Sequence, residues 1–132
     1  MTIEELIENF SYLDDWEDKY RYLIELGDTL PAFDDKDKTD KNKVDGCMSS
    51  VWFIHTKKAE KNYFAATSDA HIVRGLEAIL IILINGKTNK EILELDIEKI
   101  FEQLGLKDHI SPTRRNGFFA MIEKIHFLIQ KD

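Results

Sequence analysis

The sequence contains a single cysteine, Cys47, set in "VDGCMSSVWFIHT" between Gly46 and a run that turns abruptly apolar. A thiol is a nucleophile only as thiolate, which nearby cations favour and carboxylates disfavour. Asp45 is therefore a poor neighbour, and strand alternation can carry the side chain of Lys43 elsewhere, so no dedicated base stands beside the sulfur. Cysteine is also among the most buried residue types, and inert core filling is the plain alternative. Gly46 before Cys47 and Ser49-Ser50 after it describe a turn between two strands, a place where a rigid scaffold can present a reactive group.

Cys47 to Ser50 also spells C-x-x-S, the monothiol form of a thioredoxin-type redox motif. In that fold the cysteine opens a helix after an early strand, whereas here two helical patterns precede it and β-rich "VWFIHT" follows. The four histidines, His55, His71, His109 and His126, are scattered without the paired spacing of a zinc site, and one cysteine adds little to them. No metal site is expected. No Gly-rich phosphate cradle and no Schiff-base lysine stand out, so no bound cofactor is expected either.

Among the other charged residues, Asp69 fits a helix N-cap, and Arg74 reads either as a solvated charge or as an interface residue. Arg114 and Arg115 lie in the first turn of a helix beginning at Ser111-Pro112, where cations oppose the positive end of the helix dipole. Helix stability gives no reason for them there; a contact role does.

The chain that must position these groups has 132 residues, enough for a single domain over 1-132 with one core. Eighteen Lys and Arg against 25 Asp and Glu give a net charge of −7, with a pI near 5.1. That balance opposes nucleic-acid binding and an anionic membrane surface, leaving proteins or small molecules as partners. The longest apolar run, "AILIILI", is far shorter than the ~20 residues of a membrane span. One cysteine and an N-terminus without a basic-then-apolar leader lead to a cytoplasmic expectation.

Thr2 and Glu5 have capping-box spacing ahead of the stripe Ile3, Leu6, Ile7 and Phe10. "DDWEDKYRYLIELG" predicts a second helix with Trp16, Tyr20, Leu23 and Ile24 on one face and a stop at Gly27. Charge replaces periodicity from Pro31 to Lys43, a solvated loop. A short strand at Lys43 to Gly46, a strand at "VWFIHT", a polar turn at "KKAEKN" and a returning strand at "YFAAT" predict a small antiparallel meander. "SDAHIVRGLEAILIILING" is predicted as a helix capped by Ser68 or Asp69, apolar all round in its second half and so covered on several sides. Thr88 and Glu91 cap "NKEILEL", "DIEKIFEQLG" reads as another short helix, and the last helix runs from Ser111-Pro112 through Lys131. The fold class is α+β, an antiparallel meander packed against helices.

Gly46-Cys47-x-Ser49-x-Val51-Trp52, Ser68-Asp69-Ala70-x-Ile72-Val73-x-Gly75-Leu76 and Ser111-Pro112-x-Arg114-x-x-Gly117, taken in order with "WEDKYRYLIELGDTLP", resemble the SufE/CsdE family of sulfur acceptors in iron–sulfur cluster assembly. The resemblance runs from about Ile7 to the last helix. Met48, Ser50 and Phe118 are mild departures from it. It implies a SufE/IscU-like fold, although IscU-type scaffolds use several cysteine ligands that this chain lacks. It implies that Cys47 takes sulfane sulfur from a SufS- or CsdA-type cysteine desulfurase, stimulates that enzyme and passes the sulfur to a SufBCD-type scaffold, with pyridoxal phosphate held by the desulfurase. Asp69, Arg74 and Arg114 become partner-contact candidates, Arg114 first among them. The family's loop turns its cysteine toward an apolar cavity when free and extends it when docked. A lone thiol suits a carrier, because no second thiol of the same chain can attack the persulfide and release sulfide. A monothiol redox protein and an activating module that carries no sulfur are the alternatives.

Overall fold

Helix α1 (Ile3–Ser11) starts where the predicted capping box forms: the Thr2 hydroxyl accepts from the Glu5 amide and the Glu5 carboxylate accepts from the Thr2 amide, each at 3.1 Å. Leu6 and Phe10 are its buried face. Helix α2 (Trp16–Asp28) is capped by Asp15, whose carboxylate accepts from the Asp18 amide at 2.9 Å. The two helices meet through an edge-on contact of Phe10 with Tyr22, their ring centroids 5.0 Å apart. The computed structural model describes residues 1–47, 49–106 and 109–130.

Gly27 does not stop α2, contrary to the sequence reading. It lies buried inside the helix, where a Cβ would come within 2.8 Å of the Gly75 backbone nitrogen. Gly75 belongs to α3 (His71–Ile84), and a Cβ there would fall onto the Leu23 carbonyl. Two glycines therefore let α2 and α3 cross backbone to backbone, and close packing has taken the residue that helix termination would have used.

The charged segment after Pro31 is a loop with two single 3₁₀ turns, Asp35–Asp37 and Asp40–Asn42. It is tied back by the Lys38 ammonium, 5.9 Å from the Trp52 ring centroid, and by Lys124 Nζ donating to the Lys41 carbonyl at 3.2 Å.

Strands β1 (Val51–Lys58) and β2 (Lys61–Ser68) form an antiparallel hairpin running from Val51 opposite Ser68 to Lys58 opposite Lys61. The polar turn predicted over six residues contracts to two, Ala59 and Glu60, with φ of +50° and +67°. Positive φ at both central residues is what a type I′ turn requires, and its twist matches that of the flanking strands. The predicted third strand at Lys43 to Gly46 is also corrected. Lys43 makes a single bridge to Trp52 and the Val44 amide donates to the Val51 carbonyl at 2.8 Å, after which the chain turns away at Gly46, φ +90°. The far edge of β2 is covered by the exit of α3: the Asn62 amide donates to the Lys87 carbonyl and the Gly86 amide to the Asn62 carbonyl, at 2.8 and 2.7 Å. This end of the β2 edge is thereby paired.

Helix α3 is the central element, with Ile72, Leu76, Ile79, Leu80, Leu83 and Ile84 all nearly or fully buried. Each such side chain contributes on the order of 1.5–3 kcal/mol relative to exposure. Its predicted caps are not used; Ala70 occupies the N-cap and offers no side-chain bond. Helix α4 (Asn89–Glu94) has the predicted Thr88/Glu91 capping box, and α5 (Ile97–Gln103) is capped by Asp96. Helix α6 (Pro112–Gln130) opens with the Ser111 hydroxyl accepting from the Arg114 amide at 3.3 Å. Gly117, Met121, Ile125 and Ile129 then repeat at four-residue intervals on its buried side; its expected last residue, Lys131, lies outside the described residues. Helices packed with one antiparallel hairpin are the α+β class the patterning predicts.

Candidate functional site

The short link from the Lys43 bridge to the start of β1 carries Cys47, and both ends of this link are fixed. At its beginning Gly46 takes a φ of +90° that costs a residue with a side chain. At its end the Asp69 carboxylate accepts from the Ser50 amide at 3.1 Å, the Ser68 hydroxyl donates to the Ser50 carbonyl at 2.7 Å, and the Asp69 amide reaches that carbonyl at 3.3 Å. Both polar groups of the Ser50 peptide are thus held by the Ser68-Asp69 corner. Ser68 and Asp69, predicted as helix caps, fasten the cysteine loop instead. Register explains this, because Val51 pairs with Ser68 and brings the two corners side by side.

The half-buried Cys47 thiol points at α6 and donates to the Gly117 carbonyl across 3.6 Å. A Cβ on Gly117 would stand 3.4 Å from the sulfur. The thiol sits at a cavity of about 30 Å³ lined by Val51, Val73, Leu76, Gly117 and Met121, with Ser49, Thr113 and Arg114 completing it. A cavity of this size holds about one or two water-sized groups. Of the apolar residues Val51, Trp52 and Phe53 that follow the cysteine, Val51 lines the cavity. Strand alternation turns Trp52 to the opposite face, toward Lys38, and Phe53, fully buried on the same face as Val51, lies farther along the strand and does not line the cavity.

Burial pushes the Cys47 thiol pKa up, and the negative field of Glu77 pushes it further the same way. Glu77 is not among the residues that sequence reasoning singles out. It is fully buried on α3, and neither carboxylate oxygen has a hydrogen-bond partner among the described residues. Burial raises its own pKa to about 9, against the opposing pull of Arg74. One acidic residue in the run "LEAILIILI", four positions after Val73, is the available signal.

The other predicted site residues fall in two places. Arg114 is exposed and lines the thiol cavity, close to the Asp69-pinned loop in the sense that both border Cys47's link. Arg74 faces α2, donating to the Gly27 carbonyl at 3.2 Å with Asp28 3.9 Å away. Arg115 is half-buried with its Nε unpartnered among the described residues.

The family model "SufE: Fe-S metabolism associated domain" matches residues 4–129. This chain belongs to the SufE family. The SufE resemblance extends to uncharacterized SufE-like proteins of Rhizobium etli and Rhizobium meliloti, each 44% identical over 128 residues, which span 94% of this chain and 86% and 91% of theirs. A solution structure of a hypothetical protein from Thermus thermophilus superimposes with a TM-score of 0.78 over 99% of this chain and 97% of that one; at 18% identity it shows the shared fold. SufE membership gives the protein a role in iron–sulfur metabolism as a sulfur-related accessory protein, and the family suggests a cysteine desulfurase as partner. No helix among the described residues is long and apolar enough to cross a membrane.

Proposed function

We propose that the chain is a single-domain, cytoplasmic sulfur acceptor in which Cys47 takes persulfide sulfur from a SufS- or CsdA-type cysteine desulfurase and yields it to a SufBCD-type scaffold. The observation that carries this reading is the seat of the thiol: a loop pinned at both ends holds Cys47 against an apolar cavity with room for about one more atom of sulfur's class. A resting thiol held protonated there is protected from oxidation, which follows thiolate character and exposure.

In the transfer step the loop extends, Cys47 loses its proton to solvent, and the thiolate attacks the outer sulfur of the desulfurase persulfide. A sulfur–sulfur bond forms on Cys47 as the one on the desulfurase breaks, and the desulfurase cysteine leaves as thiolate and takes up a proton. The exchange is balanced without an external oxidant or reductant. Transfer onward repeats it with Cys47 as the leaving group. Arg114, exposed beside the cavity, and Asp69, at the loop's anchor, are the docking residues nearest the sulfur, and Arg74 extends the contact along α3 toward the end of α2.

Intact-protein mass spectrometry after incubation with a SufS-type desulfurase, pyridoxal phosphate and cysteine tests this reading. A reducible gain of one sulfur on the wild type and none on Cys47→Ser is expected. Stimulated desulfurase turnover without any sulfur gain, retained in Cys47→Ser, would replace it with an activator that carries no sulfur.

A further inference from the structure

Antiparallel pairing leaves one side of β1 unmatched. The Val51 carbonyl faces away from β2 to meet the Val44 amide, so alternation turns the amides and carbonyls of Phe53, His55 and Lys57 the same way. β2 obeys the same rule on its far side. There Asn62 pairs with Lys87 and Gly86, and the Phe64 amide donates to the Asn85 side chain at 2.8 Å. On β1 the pairing stops at the Lys43 bridge, since the chain before it winds into the Asp40–Asn42 turn instead of running on as a third strand. Among the described residues nothing pairs with the outward backbone groups of Phe53, His55 and Lys57.

This open edge is the floor of a groove of about 590 Å³, a volume within the range of ligand-holding clefts. Every residue from Phe53 to Lys57 lines it. Side chains alternate between the two faces of a strand, so a groove that touches all of them runs along the edge. Leu128 and Ile129 of α6 and Lys41 and Asn42 of the charged loop form its walls. It shares no lining residue with the thiol cavity.

Unpaired edges are commonly guarded by charged side chains that stand across them. Lys57 does not guard this one: its ammonium donates to the Ile129 carbonyl at 3.4 Å and so lies along α6. The His55 ring is also held back. Its Nε2 lies 2.7 Å from Oδ1 of the fully buried Asn62, whose amide nitrogen donates to the Lys87 carbonyl and to Asn89.

We propose that the β1 edge is a docking site for an extended, acidic segment of a partner protein, which adds to the hairpin as a third strand. The walls exclude a second copy of this chain, whose own β1 is sunk between the same walls, and admit a single extended strand. Lys41 and Lys57 against Asp37 make the lining cationic on a chain of net charge −7, so an acidic strand is favoured at this groove above the rest of the surface. Pairing with Phe53, His55 and Lys57 supplies affinity, while Leu128 and Ile129 take an apolar side chain and Lys41 an acidic one. The inference stands apart from the acceptor reading, and either can fail alone.

The test is an NMR titration of the intact chain with an acetylated, amidated heptapeptide that alternates valine and glutamate. Saturable shifts are expected at the Phe53, His55 and Lys57 amides, with hydrogen exchange there slowed about tenfold or more. The Ile54 and Thr56 amides, already bonded to β2, should change little. The valine–lysine counterpart is expected to bind about threefold more weakly or worse, and a fully N-methylated valine–glutamate peptide not at all. Unmoved edge amides at millimolar peptide, equal binding of the lysine peptide, or undiminished binding after N-methylation each overturn the proposal. Shifts of the same amides with protein concentration alone would assign the edge to a second copy and overturn it too.

Discussion

The sulfur of Cys47 rests 3.6 Å from the carbonyl oxygen of Gly117, close enough that a Cβ on that glycine would just touch the thiol. The contact joins residues 70 positions apart and docks the loop onto α6. A Cβ at Gly117 would meet the sulfur at an ordinary 3.4 Å, and alanine gains about 1 kcal/mol of helix propensity over glycine. Gly117→Ala is therefore expected to be neutral or slightly stabilising in urea denaturation. Gly117→Val adds branches that intrude on the sulfur and is expected to lose about 1–3 kcal/mol and to raise the alkylation rate of Cys47 by displacing it.

The Asp69 carboxylate holds the Ser50 amide at 3.1 Å from an exposed position. Asp69→Ala removes that bond and leaves the fold's core untouched. The expected cost is about 1 kcal/mol, with faster hydrogen exchange at Ser50 and faster alkylation of Cys47. Unchanged exchange at Ser50 would show that Ser68 alone fastens the loop.

Glu77 makes stability depend on pH with a defined sign. Its carboxyl is pushed from 4.5 up to about 9 by burial, so the folded chain holds a proton that the unfolded chain releases. The burden is absent below pH 4.5 and grows as pH rises toward 9. Glu77→Leu is expected to be more stable than wild type at pH 8 by about 1–3 kcal/mol, with the difference shrinking toward pH 4.5. Parallel denaturation curves measured across that range decide it; a constant difference would contradict the assignment.

Gly75→Ala sets helix propensity against packing. Propensity alone favours alanine by about 1 kcal/mol, whereas the new Cβ would fall onto the Leu23 carbonyl. Backbone cannot swing aside as a side chain can, so a net loss of about 2 kcal/mol or more is expected, with Gly27→Ala behaving likewise against the Gly75 nitrogen. Equilibrium unfolding of the two variants checks the sign.

Local and periodic features were legible in the residues alone. Thr2 with Glu5 and Thr88 with Glu91 specify helix starts because both partners of each cap lie three residues apart. The unbroken apolar run of α3 required a covered central helix, and ordered blocks around Cys47, Ser68 and Ser111 carried the family. Gly46 and Cys47 were legible as a loop because their turn chemistry is written in adjacent residues.

Tertiary structure decided what depends on who meets whom. Gly27 looks like a helix stop until Gly75 is brought against it. Asp69 looks like a cap until strand register places Ser50 within 3.1 Å, where a loop amide competes successfully for the same carboxylate. Glu77 is unremarked in a helix pattern, since a charge on a helix usually faces solvent; only tertiary packing buries it completely. Periodicity tells which face of an element is apolar, but a carboxyl's protonation and a sulfur's reactivity are set by the dielectric and the neighbours that packing supplies.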